Sequence, residues 1–142
     1  MKIIIDASAA VELVLKRAKA SAIGEAIAQA DLVMAPDLYA AEVTNVFWKC
    51  YAFEHLPMPD CEAALSAALA LPDEFFLSRD LAAEALALSC LAKMPAYDMI
   101  YAVLARRSGG EILTLDGKLI KVATQQGIRV STLAPPGERK PP

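Results

Sequence analysis

Near its start the chain carries a short apolar run, Ile3-Ile4-Ile5, which stops at Asp6. An unbroken β-branched run suits a strand covered on both faces, as at the centre of a parallel sheet. Similar runs recur at Leu32-Val33-Met34, Glu74-Phe75-Phe76-Leu77, Ile112-Leu113-Thr114-Leu115 and Ile128-Arg129-Val130. Between them the apolar positions take on helical spacing. The pattern predicts helices over about 9–18, 20–30, 37–54, 60–71, 79–93, 97–107 and 117–126, set off by caps and breakers. Ser8, Asp37 and Ser78 are the expected caps. Lys16, Arg17 and Lys19 suit the C-terminal end of the first helix. Pro57, Pro59, Pro72, Pro95, Gly109, Gly110 and Gly127 punctuate the rest.

Strands that alternate with helices imply parallel pairing and an α/β fold. The expected architecture is a three-layer α/β/α sandwich around a central parallel sheet of about five strands. It forms one domain over residues 1–133, followed by a Pro-rich, charged tail over 134–142 that is expected to be flexible. Apolar residues make up 56% of the 142 positions, enough for a full core. A net charge of −3 excludes a strongly basic nucleic-acid coat protein, but not an enzyme that touches RNA at one patch. Cys50, Cys61 and Cys90 form no C-x-x-C pair and read as reduced thiols in a cytosolic, hence cytoplasmic, protein. No apolar run approaches the roughly 18 residues of a membrane span, and no signal peptide is visible before Asp6.

Four acids stand where this layout brings chain segments together. Asp6 ends the first strand, and Asp116 follows the fourth. Asp98 lies in the first turn of the helix before that strand. Glu42 lies on the margin of an apolar face made by Tyr39, Val43, Val46, Cys50 and Phe53 on the long helix. Ligands of open α/β sheets bind outside the carboxyl ends of the strands. Each acid alone has a structural alternative as a helix cap or a dipole partner. Together they would repel one another unless a cation intervened. Ligation by oxygen alone suits Mg²⁺ or Mn²⁺. His55 is the single histidine, so a His-rich zinc site is excluded and a Ser-His-Asp triad would have to use it. Asn45, one turn beyond Glu42, is placed to bond a ligand or Glu42, while Ser8 and Thr114 are candidate supporting hydroxyls.

These segments resemble the PIN-domain family, specifically the VapC-type toxin ribonucleases. Ile5-Asp6-Ala7-Ser8 is similar to the family's opening strand and first acid. Residues Pro36 to Val46 resemble its Pro-x-Leu…Glu-x-x-Asn helix. Residues Tyr97 to Ala105 resemble the segment with the third acid, and Thr114-Leu115-Asp116-Gly117-Lys118-Leu119 resembles the Thr-x-Asp-x-x-Leu segment with the fourth. The likeness spans nearly all of residues 2–131, departs at Gly117, and leaves out the tail from Ala134. It implies a Mg²⁺- or Mn²⁺-dependent endoribonuclease, with Asp6, Glu42, Asp98 and Asp116 as catalytic metal ligands. It also implies an RNA substrate, a homodimer and a cognate antitoxin protein. RNA contacts are expected from among Lys16, Arg17, Lys19, Arg106, Arg107, Lys118 and Lys121.

Two rival readings remain. A Mg²⁺-dependent phosphatase would use Asp6 as nucleophile, but the second acid of the haloacid-dehalogenase pattern is Ser8 here. A non-catalytic interaction module could retain the fold. One further residue stands out. With Tyr39, Val46 and Cys50 facing the core, Trp48 lies almost opposite, beside Ala41 and Thr44. A Trp directed outward calls for a cover: the segment around 55–60, a second subunit, or an antitoxin helix. The resemblance favours the second subunit.

Overall fold

Ile3, Ile4 and Ile5 are completely buried, and the sheet is assembled around them. The computed structural model describes residues 1–133. In chain order its elements are β1 (Lys2–Ile5), α1 (Ala7–Val14), α2 (Ala20–Ala28), β2 (Leu32–Pro36), α3 (Leu38–Glu54), α4 (Met58–Leu69), β3 (Glu74–Phe76), α5 (Ser78–Ala92), α6 (Ala96–Ser108), β4 (Glu111–Leu113) and α7 (Gly117–Gln125). The strands lie in the order β3-β2-β1-β4, and every pairing is parallel. α1 to α4 pack on one another, with α3 against β2. α6 lies on β1, β2 and β4 and carries α5 and α7. These are the two helical layers of the expected sandwich, and β1 occupies the middle of the sheet between them.

The sheet has four strands rather than five. The expected fifth strand, Ile128-Arg129-Val130, contributes one isolated bridge from Val130 to Ile112. Ile128 is drawn back onto the end of α7, its N–H donating to the Ala123 carbonyl. Gly127 turns there with φ +69°, so too little chain runs beside β4 to form a ladder. The proposed tail over 134–142 lies outside the described residues.

Local corrections follow the same logic. Asp6, not Ser8, caps α1, accepting from the Ala9 N–H. α1 stops at Val14, so the basic cluster Lys16 to Lys19 lies past its end. Asp37 occupies the cap position of α3, but its side chain makes no capping hydrogen bond to that helix. Its carboxylate instead takes the N–H of Ser78 at 2.9 Å, together with the Ser78 hydroxyl. It thereby ties the start of α5 to the end of β2. Ser78 is therefore the first helical residue and Leu77 the cap.

On α3 the buried stripe is Tyr39, Val43, Phe47 and Cys50. Val46 is only half-buried, and Phe53, expected on the core face, is 70% exposed. The last turn of α3 overhangs the domain, and there Phe53 packs edge-on against Trp48, ring centroids 5.7 Å apart. Trp48 itself is 56% exposed. Met58, Cys61, Glu62 and Leu65 of α4 border it without covering it, so cover by the segment around 55–60 is ruled out. Cys50 and Cys61 are buried and Cys90 is exposed. Among the described residues no helix is long and apolar enough to cross a membrane.

The packing generates a direct test at Gly110, where α6 turns into β4. A Cβ there would stand 2.5 Å from Ile4 Cδ1 and 3.1 Å from the Lys2 carbonyl oxygen. Gly110→Ala should therefore destabilise the domain by about 1–3 kcal/mol through overpacking, measured by urea denaturation. Unchanged stability would show that the packing around Ile4 yields freely.

Candidate active site

The β1–β4 register places the first acid. Ile5 pairs with Leu113, and the Asp6 N–H continues the ladder to the Leu113 carbonyl at 3.2 Å. Asp6 and Thr114 consequently leave the sheet side by side. Both are buried. The Thr114 hydroxyl donates to Asp6 Oδ2. The Ser8 hydroxyl donates to Oδ1 at 2.7 Å, and the Ala9 N–H reaches the same oxygen at 3.0 Å. A carboxylate offers about four lone-pair positions. Three are filled here, which leaves one on Oδ2.

The supporting hydroxyls are fixed in turn. Leu115 N–H donates to Ser8 Oγ at 2.9 Å, and Asp116 N–H donates to Thr114 Oγ1 at 3.0 Å. The segment after β4 is thus wired to the segment after β1. Asp116 caps α7 through the Lys118 N–H at 2.9 Å, so its structural role is real.

Glu42 reaches the site from α3. It is half-buried and accepts from the Tyr101 hydroxyl at 2.6 Å. Tyr101 belongs to α6, in the opposite helical layer, and is fully buried. Burial and the negative charges around it push its phenol far above the ordinary value of 10, so it stays protonated and donates. Asp98 sits one turn earlier on α6, half-buried. Asn45 is exposed, and the bond to Glu42 comes from Tyr101 instead.

The electrostatics link all four acids. Burial raises the Asp6 carboxyl above its ordinary 3.8, against the opposing pull of the Thr114, Ser8 and Ala9 hydrogen bonds, and Asp116 raises it further. Burial also raises Glu42, against the Tyr101 hydrogen bond, with Asp6 and Asp98 adding repulsion. Asp98 is raised by burial and then by Asp116, while the Lys118 ammonium pulls it down. The repulsions that raise Asp6, Glu42 and Asp98 join Asp6 to Asp116, Glu42 to Asp6 and Asp98, and Asp98 to Asp116, so the four acids stand in a ring. As placed, no three His, Cys, Asp or Glu side chains among the described residues are close enough to hold one ion. The structure brings the four carboxylates into one neighbourhood but not to ligating distance.

Next to this ring lies a cleft of about 600 Å³ that contains Asp98 and Asp116 and is bordered by Lys93, Lys118 and Lys121. The other expected RNA-contacting residues lie elsewhere. Arg17 pairs with Glu54 at 3.0 Å, and Arg106 and Arg107 both pair with Glu84. Lys19 lines a separate groove with Glu12 and Thr114, and Lys16 is exposed beyond α1. Two residues had no sequence signal. Tyr101 reads as one more apolar position of α6, and Lys93 as one more surface lysine.

The raised Asp6 carboxyl sets a pH dependence. The folded chain binds this proton more tightly than the unfolded chain, so the ionised group costs stability above its raised value. That cost fades as pH falls toward 3.8, where the unfolded chain is protonated as well. In EDTA, Asp6→Asn should therefore be more stable than the parent at neutral pH, with the gap closing on acidification. Urea titrations across that range check this, and a gap that widens on acidification would reverse the sign.

The fold and the sequence have counterparts among known proteins. The PIN domain family model matches residues 3–125. Ribonuclease VapC3 of Pyrobaculum aerophilum is 32% identical over 125 residues, covering 84% of this chain and 92% of the relative. The crystal structure of PAE2754, also from Pyrobaculum aerophilum, superposes with a TM-score of 0.70 at 21% identity, over 86% of this chain and 79% of that one. The crystal structure of Mycobacterium tuberculosis VapC20, described as a sarcin-ricin loop cleaving toxin, gives a TM-score of 0.59 at 18% identity, over 84% and 93%. The two structures share the fold, and the family model and VapC3 carry the assignment: this chain belongs to the PIN-domain family.

Proposed function

We propose that this chain is a Mg²⁺- or Mn²⁺-dependent endoribonuclease, the toxin of a VapC-type toxin–antitoxin pair acting in the cytoplasm. The observation that carries the reading is the buried Asp6 carboxylate. It lies at the end of the central strand in a ring with three more acids, and among the described residues no basic side chain bonds it. The match to Ribonuclease VapC3 supports the same assignment.

The donor set fits a hard divalent cation. It is made of oxygen alone, it retains one open position on Asp6, and its members repel one another in a way a cation would relieve. Asp6, Glu42, Asp98 and Asp116 would hold the metal. Once bound, it supplies an acidified water and charge neutralisation at the phosphodiester.

The chain's own residues prepare that site. Thr114 and Ser8 fix the Asp6 carboxylate, and Tyr101 fixes Glu42. Such supporting bonds orient ligands, and losing one typically costs 10–100-fold in metal affinity or activity. An acid–base pathway through histidine has no residue to use. His55 caps the far end of α3, about 20 Å of helix rise from Glu42.

RNA incubated with the protein should be cleaved with Mg²⁺ and left intact in EDTA. Asp6→Asn or Asp98→Asn should lower cleavage by at least about 10²-fold, the scale of losing a charge-stabilising group at a reacting centre, with the circular dichroism spectrum kept. Undiminished cleavage in EDTA would refute the metal reading.

The same reading gives the chain two protein partners, a second copy and an antitoxin. The exposed Trp48, with Tyr51, Phe53 and Met58 around it, is the patch we assign to the homodimer, where a self-complementary surface meets its own copy. Trp48→Glu should remain folded by circular dichroism and sediment as a monomer. A variant that stays dimeric would remove Trp48 from the interface.

A further inference from the structure

The cleft beside Asp98 and Asp116 has a second wall that the acids do not explain. Lys118, Lys121 and Gln125 border it from α7, and their spacing places them on one helix face. That face begins two residues after Asp116. Lys93 also borders the cleft, at the left-handed cap of α5 (φ 55°), its N–H bonded to the Ser89 carbonyl. Among the described residues none of the five ion pairs includes Lys93, Lys118 or Lys121. Arg17, Arg106 and Arg107, by contrast, are each committed to a glutamate.

We propose that Lys93, Lys118 and Lys121 form the track that binds the phosphates of one RNA strand beside the scissile bond, with Gln125 at its end. The inference rests on the ribonuclease reading and names how that site takes its substrate. Lysine is suited to the task because a flexible stem carries a compact charge with three donors. The lining includes Ala92, Met94, Pro95 and Val122 but no aromatic side chain. Without a stacking platform the track grips the backbone and leaves base identity unread.

The test uses the full chain and labelled single-stranded RNA oligonucleotides of two unrelated sequences. Binding is followed by fluorescence anisotropy against salt, in an Asp6→Asn background that prevents cleavage. Lys93→Gln, Lys118→Gln and Lys121→Gln should each weaken binding equally for both sequences and reduce the slope of log affinity against log salt by about 0.7. Lys49→Gln, on exposed α3 surface, should change neither. In the otherwise unsubstituted enzyme Lys93→Gln and Lys121→Gln should raise KM and leave kcat unchanged. Lysine variants that bind like Lys49→Gln would overturn the track, as would cleavage with unaltered KM. Lysine-dependent binding by a protein that never cleaves RNA would keep the track and remove the ribonuclease reading.

Discussion

One buried carboxylate organises this molecule. Asp6 lies where the central strand leaves the sheet, and burial raises its proton affinity despite three hydrogen bonds that favour the charge. Each such bond to a charged group contributes about 1.5–3 kcal/mol, and burial outweighs them together. A residue this costly depends on register. The pairing of Ile5 with Leu113 puts Thr114 beside Asp6. A slip by one residue would turn every side chain of the strand to the opposite face and strand the charge. The segments after β1 and β4 are therefore joined by side-chain bonds as well as by the ladder.

The two helical layers meet at this edge because their helices run in useful directions. α3 starts where β2 ends, which puts Glu42 near the strand ends. α6 runs back toward the start of β4, which puts its first two turns, with Asp98 and Tyr101, at the same edge. The Tyr101–Glu42 bond links one layer to the other. At its far end α6 is tied to α5 by Arg106 and Arg107 on Glu84. These pairs are well exposed, and exposed pairs add little stability. The placement of α6 comes from Met99, Tyr101, Ala102, Val103, Leu104 and Ala105, all buried. Apolar packing thus aims the acids.

Much of this arrangement was readable from local sequence. The β-branched run ending in Asp6, the Pro-bounded strands and the Gly-terminated helices each carry their own signal, and they located β1 to β4 and every helix. Periodicity placed Glu42 on the inward margin of α3. Tyr101 was hidden because a buried phenol and a buried Phe occupy the same helical position, and only its partner 59 residues away distinguishes them. The Asp37–Ser78 clamp was missed for the same reason: a cap-like residue bonds across 41 positions rather than within its own helix. Phe53 misled because a seventeen-residue helix outlasts the surface it packs on, so continuing the apolar stripe placed a solvent-facing ring in the core. The fifth strand failed because Gly127 and the end of α7 claimed its first residue.

An acidic chain that handles a polyanion has to separate its charges. At the cleft the two signs are placed locally: Asp98 and Asp116 line it, and three lysines free of ion pairs among the described residues border the same space. Over such short distances pairs are only partly screened, since the Debye length is about 8 Å at physiological salt. Overall net charge therefore says little about what the cleft attracts. On the proposed reading, the bare ring opposes an incoming phosphate while the lysines attract it. A cation in the ring cancels the repulsion and leaves the attraction. Linkage then requires the two ligands to help each other equally, RNA tightening the cation as much as the cation tightens RNA. Lys118 stands at the junction of the two groups, pulling on the Asp98 carboxyl while bordering the space a phosphate would take. A cation held at Asp98 would compete with that pull and leave the ammonium for the substrate. On that reading the raised carboxylates and the lysines that make no ion pair among the described residues are two halves of one charge arrangement, which both ligands together complete.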